Sequence, residues 1–525
     1  MRDDPHSHDG GKAEAPQDPA RDDVLGDALD KSPFPTTVEA TPGPSIVEPA
    51  VRGARLDRVR ARVGALAASM RRAVPKGQAW VERGASAVRA RPRRSASIAL
   101  GALVVAAAVP LMALHASRGE ASEPVVLPAP SAVVARSSEA IAAPKAPVVP
   151  SVKPFQPPSA LAGLDLKAIA VDDAGAVSTV AGGRIAKLTL DPKSQLAATR
   201  LMARHKLAEA AVVMVEPSTG KVLVYASRGG GGHDLAAEAT APSASVFKIV
   251  TGSALVQIAG VPIDTKVCYG GGDSKLEPRD LKDDPRQDKY CATLSQAMGR
   301  SINAIFGKLA QRRLAVSDLN TVGMNLGYGT ALPFDVAVQP SKLDVPTDPL
   351  SFSRTAAGFY NSTLSPLHGA LLAATVADGG TMMRPWIVSS VVDGAQTIWR
   401  APAPSVFRKA LEPATASAVE KMLLETVANG TSHKAFHDAK GRAFIPGVEI
   451  AGKTGTLNLT PGNSSKLVTW FVGYAPVKNP KVAIAAMIVN DPVWKVKANT
   501  LAREVLQYWF AENGYAGVSA PSLDP

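Results

Sequence analysis

The pattern of apolar and polar positions divides the chain into an uncharged run, a proline-rich stretch and a long region of mixed strand and helix periodicity. The uncharged run, Ser95 to Ser117, is 23 residues long and is bounded by Arg94 and Arg118. At ~1.5 Å per residue a helix of that length is roughly 35 Å, enough to cross a hydrocarbon core. Pro110 within it is a kink that membrane helices tolerate. A buried core helix and a cleaved signal peptide are the rival readings. The second fits poorly, because such signals sit at the extreme N-terminus and have a shorter apolar region. Residues 124–158 hold nine prolines among Ala, Val and Ser. That composition predicts a stiff linker reaching about 100 Å at ~3.1 Å per residue.

Beyond the linker the periodicity is that of a folded domain. Asp191-Pro192 reads as an N-cap followed by proline at the first helical position, opening a helix through Leu196, Met202 and His205. The apolar runs of residues 210–227 flank Pro217-Ser218-Thr219-Gly220 and predict a hairpin. A glycine run at 229–232 marks a mobile loop. Ser245 to Ile258 has helical spacing and almost no charge, which predicts a buried helix. Residues 448–459, 467–475 and 482–490 predict three strands, and Thr500 to Ala511 an amphipathic closing helix. An early hairpin and a late three-strand meander predict an α+β fold. It would hold one antiparallel five-stranded sheet made by both ends of this region, with helices on its faces and a helical subdomain between. The expected organisation is a tail (1–94), an anchor (95–117), a linker (118–160), a small N-terminal module (161–190), the main domain (191–515) and a C-terminal tail (516–525).

Composition and charge sharpen the picture. With 46% hydrophobic residues the chain is not disordered throughout, and two cysteines exclude a disulfide scaffold or a Cys-rich zinc module. The net charge of +12 is unevenly placed: residues 1–50 hold four basic and eleven acidic residues, whereas 51–94 hold thirteen and two. The basic block ends in Arg89, Arg91, Arg93 and Arg94, immediately before the uncharged run. That position favours a membrane over a nucleic-acid partner. It predicts a single-pass protein of the cytoplasmic membrane, with residues 1–94 inside and 118–525 in the periplasm or its equivalent. The acidic stretch 1–50 reads as disordered. Leu56 to Ala90 reads equally as a helix lying on anionic lipid or as a solvated one.

Three short motifs follow in order: Ser245-Val246-Phe247-Lys248, Ser301-Ile302-Asn303 and Lys453-Thr454-Gly455-Thr456. The i,i+3 spacing puts the Ser245 hydroxyl and the Lys248 ammonium on one helix face. A serine is a weak nucleophile until a neighbouring base takes its proton, and a desolvated lysine near other cations can become that base. The helix N-terminus adds a positive dipole end where an oxyanion would form. Singly the motifs are weak, and Ser218–Lys221 repeats the first spacing inside a hairpin turn. The ordered set is the informative signal.

That set resembles the penicillin-binding protein and serine β-lactamase superfamily. The surrounding words LTLDPKSQLAATRL (188–201), STLSPLHGALLAATVADGG (362–380), VANGTS (427–432), IAGKTGT (450–456) and TWFVGYAP (469–476) look like a monofunctional transpeptidase domain. The resemblance covers about Leu188 to Tyr515, and with one N-terminal anchor the chain is most similar to class B penicillin-binding proteins. The resemblance implies a D,D-transpeptidase of peptidoglycan stem peptides, with no cofactor and no metal. Ser245 would be the nucleophile and Lys248 the general base. Ser301 would relay a proton under the influence of Lys453, and Asn303 would hold the substrate amide. Backbone N–H groups of Ser245 and Thr456 would form the oxyanion hole, with Thr454, Gly455 and Thr456 lining the substrate. β-Lactams would trap Ser245 as a stable acyl-enzyme. Cell-wall glycosyltransferases and division or elongation proteins are further candidate partners. A D,D-carboxypeptidase and a non-turnover penicillin-binding sensor are the alternatives. The chain departs from the family in having only about Leu161–Leu190 where a large pedestal domain is usual.

Other readings fit less well. Gly447 to Thr454 satisfies a phosphate-loop pattern, but strand-like rather than helix-like residues follow it. His433 and His437 have zinc-protease spacing, with Lys434 where a glutamate base is needed. No glutamate occurs from Pro278 through Leu411, which argues against the deacylating class A β-lactamase route. Finally, Cys268 and Cys291 bracket a polar, glycine-containing segment on the expected exported side. They read as a disulfide in an oxidising compartment, with two buried free thiols as the alternative.

Overall fold

The computed structural model describes residues 155–525, apart from 273–274, 492–495 and 525. The expected anchor at 95–117, the tail before it and the linker up to residue 154 lie outside the described residues. Among the described residues no helix is long and apolar enough to cross a membrane.

The strands of two five-stranded sheets are, in chain order, β1 (Ala170–Asp172), β2 (Gly175–Val180), β3 (Arg184–Leu188), β4 (Glu209–Val215), β5 (Val222–Arg228), β6 (Val388–Asp393), β7 (Gln396–Arg400), β8 (Ala451–Thr460), β9 (Asn463–Ala475) and β10 (Val482–Asn490). The principal sheet has the order β8-β9-β10-β4-β5, antiparallel throughout, so both ends of the domain meet between β10 and β4. This is the antiparallel sheet with flanking helices expected from the apolar pattern.

The central strands are apolar on both faces for a physical reason. Along β4, Ala211, Val213 and Val215 join a core with helices α2 (Lys248–Gln257) and α5 (Pro366–Ala377). The intervening Ala210, Val212 and Met214 join a second core with α1 (Pro192–Arg204) and α7 (Ala498–Glu512). A strand sandwiched between helices has no solvent face to leave polar. Local chemistry sets the helix starts. Asp191 accepts a hydrogen bond from the Ser194 N–H at 2.8 Å, with Pro192 in the first turn. One turn on, the Gln195 side chain accepts from the Tyr225 N–H and donates to its carbonyl, at 2.8 and 2.9 Å, locking α1 onto β5.

The second sheet runs β1-β2-β3-β6-β7, so strands from residues 170–188 are completed by residues 388–400. Between the hairpin and the late meander lie α3 (Leu294–Arg300), α4 (Asn303–Arg313) and two further helices, Val316–Asn325 and Pro349–Ala356. The helix α6 (Pro413–Ala428) packs against α3. The helix expected over Ser245–Ile258 is resolved into a 3₁₀ turn, Ala244–Phe247, followed by α2. Ala244 has φ +49°, and the chain enters the turn sharply from the short strand Ala241–Pro242.

Candidate active site

Ser245 lies in the 3₁₀ turn and Lys248 opens α2. Side chains three residues apart eclipse in a 3₁₀ turn, so this geometry brings the pair together more directly than an α-helix would. Lys248 Nζ is 2.9 Å from Ser245 Oγ. The same nitrogen donates to Asn303 Oδ1 at 2.6 Å and to the Ala357 carbonyl at 2.5 Å, and sits 5.5 Å from the Phe306 ring centroid. Lys248 is fully buried, whereas Ser245 is partly open to solvent.

The second motif spans a break between helices. Thr293 and Gln296 form a capping box that starts α3. Ser301 ends α3 in the left-handed region at φ 61°, and α4 begins two residues later at Asn303. The break points Ser301 and Asn303 at different ammonium groups: Asn303 meets Lys248, and Ser301 Oγ accepts from Lys453 Nζ at 2.9 Å.

Lys453 to Thr456 lie on β8, an edge strand, in register with Val472, Phe471, Trp470 and Thr469 of β9. Lys453 and Gly455 are buried, Thr454 is half-buried and Thr456 is exposed. The glycine has a steric reason. A Cβ at Gly455 would lie 3.1 Å from Ala244 Cβ and 3.3 Å from Val246 Cγ2, so the strand runs against the Ser245 turn. Trp470 Nε1 donates to the Pro242 carbonyl at 3.0 Å and fastens the sheet to the entrance of that turn. A strand rather than a helix follows Thr454, which excludes a phosphate-binding loop there.

Two buried ammonium groups dominate the electrostatics. Burial disfavours the charged form and brings Lys453 down to about 7. Lys248 is pushed well below its ordinary value, first by burial and then by the neighbouring Lys453 charge. The hydrogen-bond partners of Lys248 are a hydroxyl, an amide oxygen and a backbone carbonyl, all neutral.

Sequence reasoning missed the Ala357 carbonyl and Gly358. A backbone acceptor more than a hundred residues away leaves no side-chain signature. Gly358 leaves only the weak signal of a glycine, here at φ +85° with the space for a Cβ occupied by the Ala244 carbonyl at 2.5 Å. Thr431 was also missed as a site residue, although its VANGTS segment carried part of the resemblance. Its hydroxyl is 2.6 Å from that of Thr454. Cys268 and Cys291 are opposite one another in the two-stranded pair Lys266–Tyr269 and Tyr290–Thr293, and are joined by a disulfide. The buried Lys308 of α4 donates to the Cys268 carbonyl at 2.9 Å and to Asp288 at 2.6 Å, so this segment is tied to the helix that carries Asn303.

The site is thus a serine–lysine pair joined to a second serine–lysine pair, set between an antiparallel sheet and a helical region. The penicillin binding protein transpeptidase domain model matches residues 210–507, and the chain belongs to that family. Among curated relatives, the peptidoglycan D,D-transpeptidase PbpA of Mycolicibacterium smegmatis is 27% identical over 312 residues, covering 53% of this chain and 61% of that protein. The chain therefore spans about three fifths of that relative's length. Among solved structures, the D,D-transpeptidase domain of a peptidoglycan glycosyltransferase from Eggerthella lenta superposes with a TM-score of 0.53 at 26% identity, covering 63% of this chain and 84% of that one. A ceftriaxone acyl-enzyme complex of penicillin-binding protein A from Mycobacterium tuberculosis gives 0.51 at 25% identity, covering 62% and 80%.

Proposed function

We propose that this protein is a membrane-anchored serine D,D-transpeptidase that cross-links peptidoglycan stem peptides through an acyl-enzyme at Ser245. The observation that carries the reading is the placement of Lys248 among Ser245, Asn303 and the Ala357 carbonyl. Made neutral by burial, an amine keeps two N–H donors and one lone pair. Asn303 Oδ1 and the Ala357 carbonyl take the two donors, which leaves the lone pair for the Ser245 hydroxyl.

Ser245 Oγ attacks the carbonyl carbon of the penultimate D-Ala while its proton passes to Lys248. The C–N bond to the terminal D-Ala breaks, and Ser301, held by Lys453, relays a proton to the departing amine. The amine of a second stem peptide then attacks the ester carbonyl. The C–O bond to Ser245 breaks, and the proton lost by the amine returns to Ser245 Oγ. Backbone N–H groups of Ser245 and Thr456 stabilise the oxyanion in both halves. The free edge of β8 suits an extended peptide, with Thr454, Thr456 and Lys453 around its carboxylate. A β-lactam enters the same first half, its ring C–N bond breaking in place of the peptide bond. The acyl-enzyme of the mycobacterial structure supports the first half, and the similarity to the D,D-transpeptidase PbpA supports the second.

Labelled penicillin mixed with purified protein should modify Ser245, and Ser245→Ala should remove the label. Undiminished labelling of that variant would overturn the assignment. A pentapeptide supplied with and without an acceptor amine separates cross-linking from carboxypeptidase activity: a cross-linked product is expected, and D-Ala release with hydrolysis alone would replace transpeptidation with carboxypeptidation.

A further inference from the structure

The end of α6 and the end of α3 are in direct backbone contact beside the site. A Cβ at Gly430 would lie 2.2 Å from the Gly299 carbonyl oxygen, and one at Gly299 would lie 2.6 Å from Glu425 Cβ. Two glycines facing each other remove the spacing that side chains impose. The Thr431 N–H consequently reaches the Gly299 carbonyl at 3.0 Å, and the Thr431 hydroxyl lies 3.3 Å from the same oxygen. This carbonyl belongs to the last turn of α3, two residues before Ser301. On its other side the Thr431 hydroxyl is 2.6 Å from the Thr454 hydroxyl. Lys453 Nζ holds the Thr454 carbonyl at 3.0 Å, so Thr454 is gripped at both its backbone and its side chain.

A count of protons gives this contact a consequence. Each hydroxyl has one proton to donate. When Thr431 donates to the Gly299 carbonyl, Thr454 donates to Thr431 and offers only lone pairs to the cleft. When an anion arrives at Thr454, the Thr454 proton turns to the anion and the Thr431 proton turns to Thr454. The Gly299 carbonyl keeps the Thr431 N–H throughout. The second arrangement makes Thr454 a donor whose oxygen is itself hydrogen-bonded, which strengthens its bond to a charged acceptor.

We propose that Thr431 is a positioning residue for carboxylate recognition: it sets the direction in which the Thr454 hydroxyl donates and so adapts the site to an anionic acyl donor. The inference rests on the acyl-enzyme reading above and assigns to Thr431 no contact with the reacting atoms. Thr431 is itself exposed, at the junction of the segments bearing Ser301 and Lys453.

The test compares acylation of the full-length protein by benzylpenicillin and by its methyl ester, in competition with a fluorescent penicillin. Thr431→Val keeps the shape and removes the hydroxyl. It should lower the benzylpenicillin rate constant about tenfold through weaker binding, leave the ester rate nearly unchanged, and be rescued by Thr431→Ser. Thr454→Val should give a similar selective loss, and the double variant no more than either single one, because both act on one hydrogen-bond chain. An equal loss for acid and ester would mean a merely structural role. Losses that multiply in the double variant would mean that Thr431 acts independently of Thr454. Either result overturns the proposal. The acid-to-ester ratio is measured on active molecules only, so reduced folding of the valine variant does not affect it, and Thr431→Ala serves if that variant fails to accumulate. Failure of the unaltered protein to label at all would instead sink the acyl-enzyme reading.

Discussion

At the scale of single residues, Lys248 and Lys453 share one electrostatic problem. Both amines are buried, which disfavours the charged form of each, and the Lys453 charge further disfavours that of Lys248. The charge on Lys453 helps keep Lys248 unprotonated, so removing it should let Lys248 hold its proton to higher pH. Lys453→Met should therefore shift the acidic limb of the acylation profile upward in pH, beyond any general loss of rate. The sign is fixed. A base with a raised pKa becomes active later as pH rises. Penicillin labelling rates measured across the pH range on both proteins check this, and an unmoved limb would remove Lys453 as a tuner of Lys248. In the unaltered protein, Lys453 itself loses its charge near pH 7. If that charge also holds the substrate carboxylate, as proposed above, acylation should weaken on the alkaline side as it is lost.

At the scale of elements, the site is an assembly of four short segments whose approach is limited by glycine. Gly358 follows the carbonyl that receives Lys248, and its Cβ would fall 2.5 Å from the Ala244 carbonyl and 2.9 Å from Ser245 Cα. Its φ of +85° adds backbone strain for any other residue. Gly358→Ala should cost about 2 kcal/mol or more of stability and displace the Ser245 turn. Thermal unfolding together with penicillin labelling checks it, and a variant with unchanged labelling and stability would show that the segment yields. The same element scale explains what the sequence revealed. β4 and β10 are apolar on both faces because helices cover both, and such runs are visible without an alignment. β7 escaped notice because Gln396, Thr397 and Ile398 are exposed and give no alternation to read. The motif residues were legible through local spacing and chain order. The Ala357 carbonyl, the Gly299 carbonyl and the Thr431 contact were not, because backbone groups and long-range packing decide them.

At the scale of the whole molecule, the transpeptidase-family domain is preceded by sequence features that lie outside the described residues. Thirteen basic residues between 51 and 94 precede the 23-residue uncharged run, and only two acidic residues offset them. Moving such a block across a membrane is costly, so it should remain in the cytoplasm and send the rest of the chain outward. Two further features agree with export. The proline-rich stretch after residue 123 suits a spacer between a membrane and a polymeric substrate beyond it. The Cys268–Cys291 pair is disulfide-bonded, a state that persists in oxidising compartments. Protease added to intact spheroplasts should therefore degrade the domain that carries Ser245 and spare a tag placed at Met1. Lysis before treatment should expose both. Protection of the catalytic domain in intact spheroplasts, or loss of the N-terminal tag there, would reverse the topology and separate the domain from an extracytoplasmic substrate.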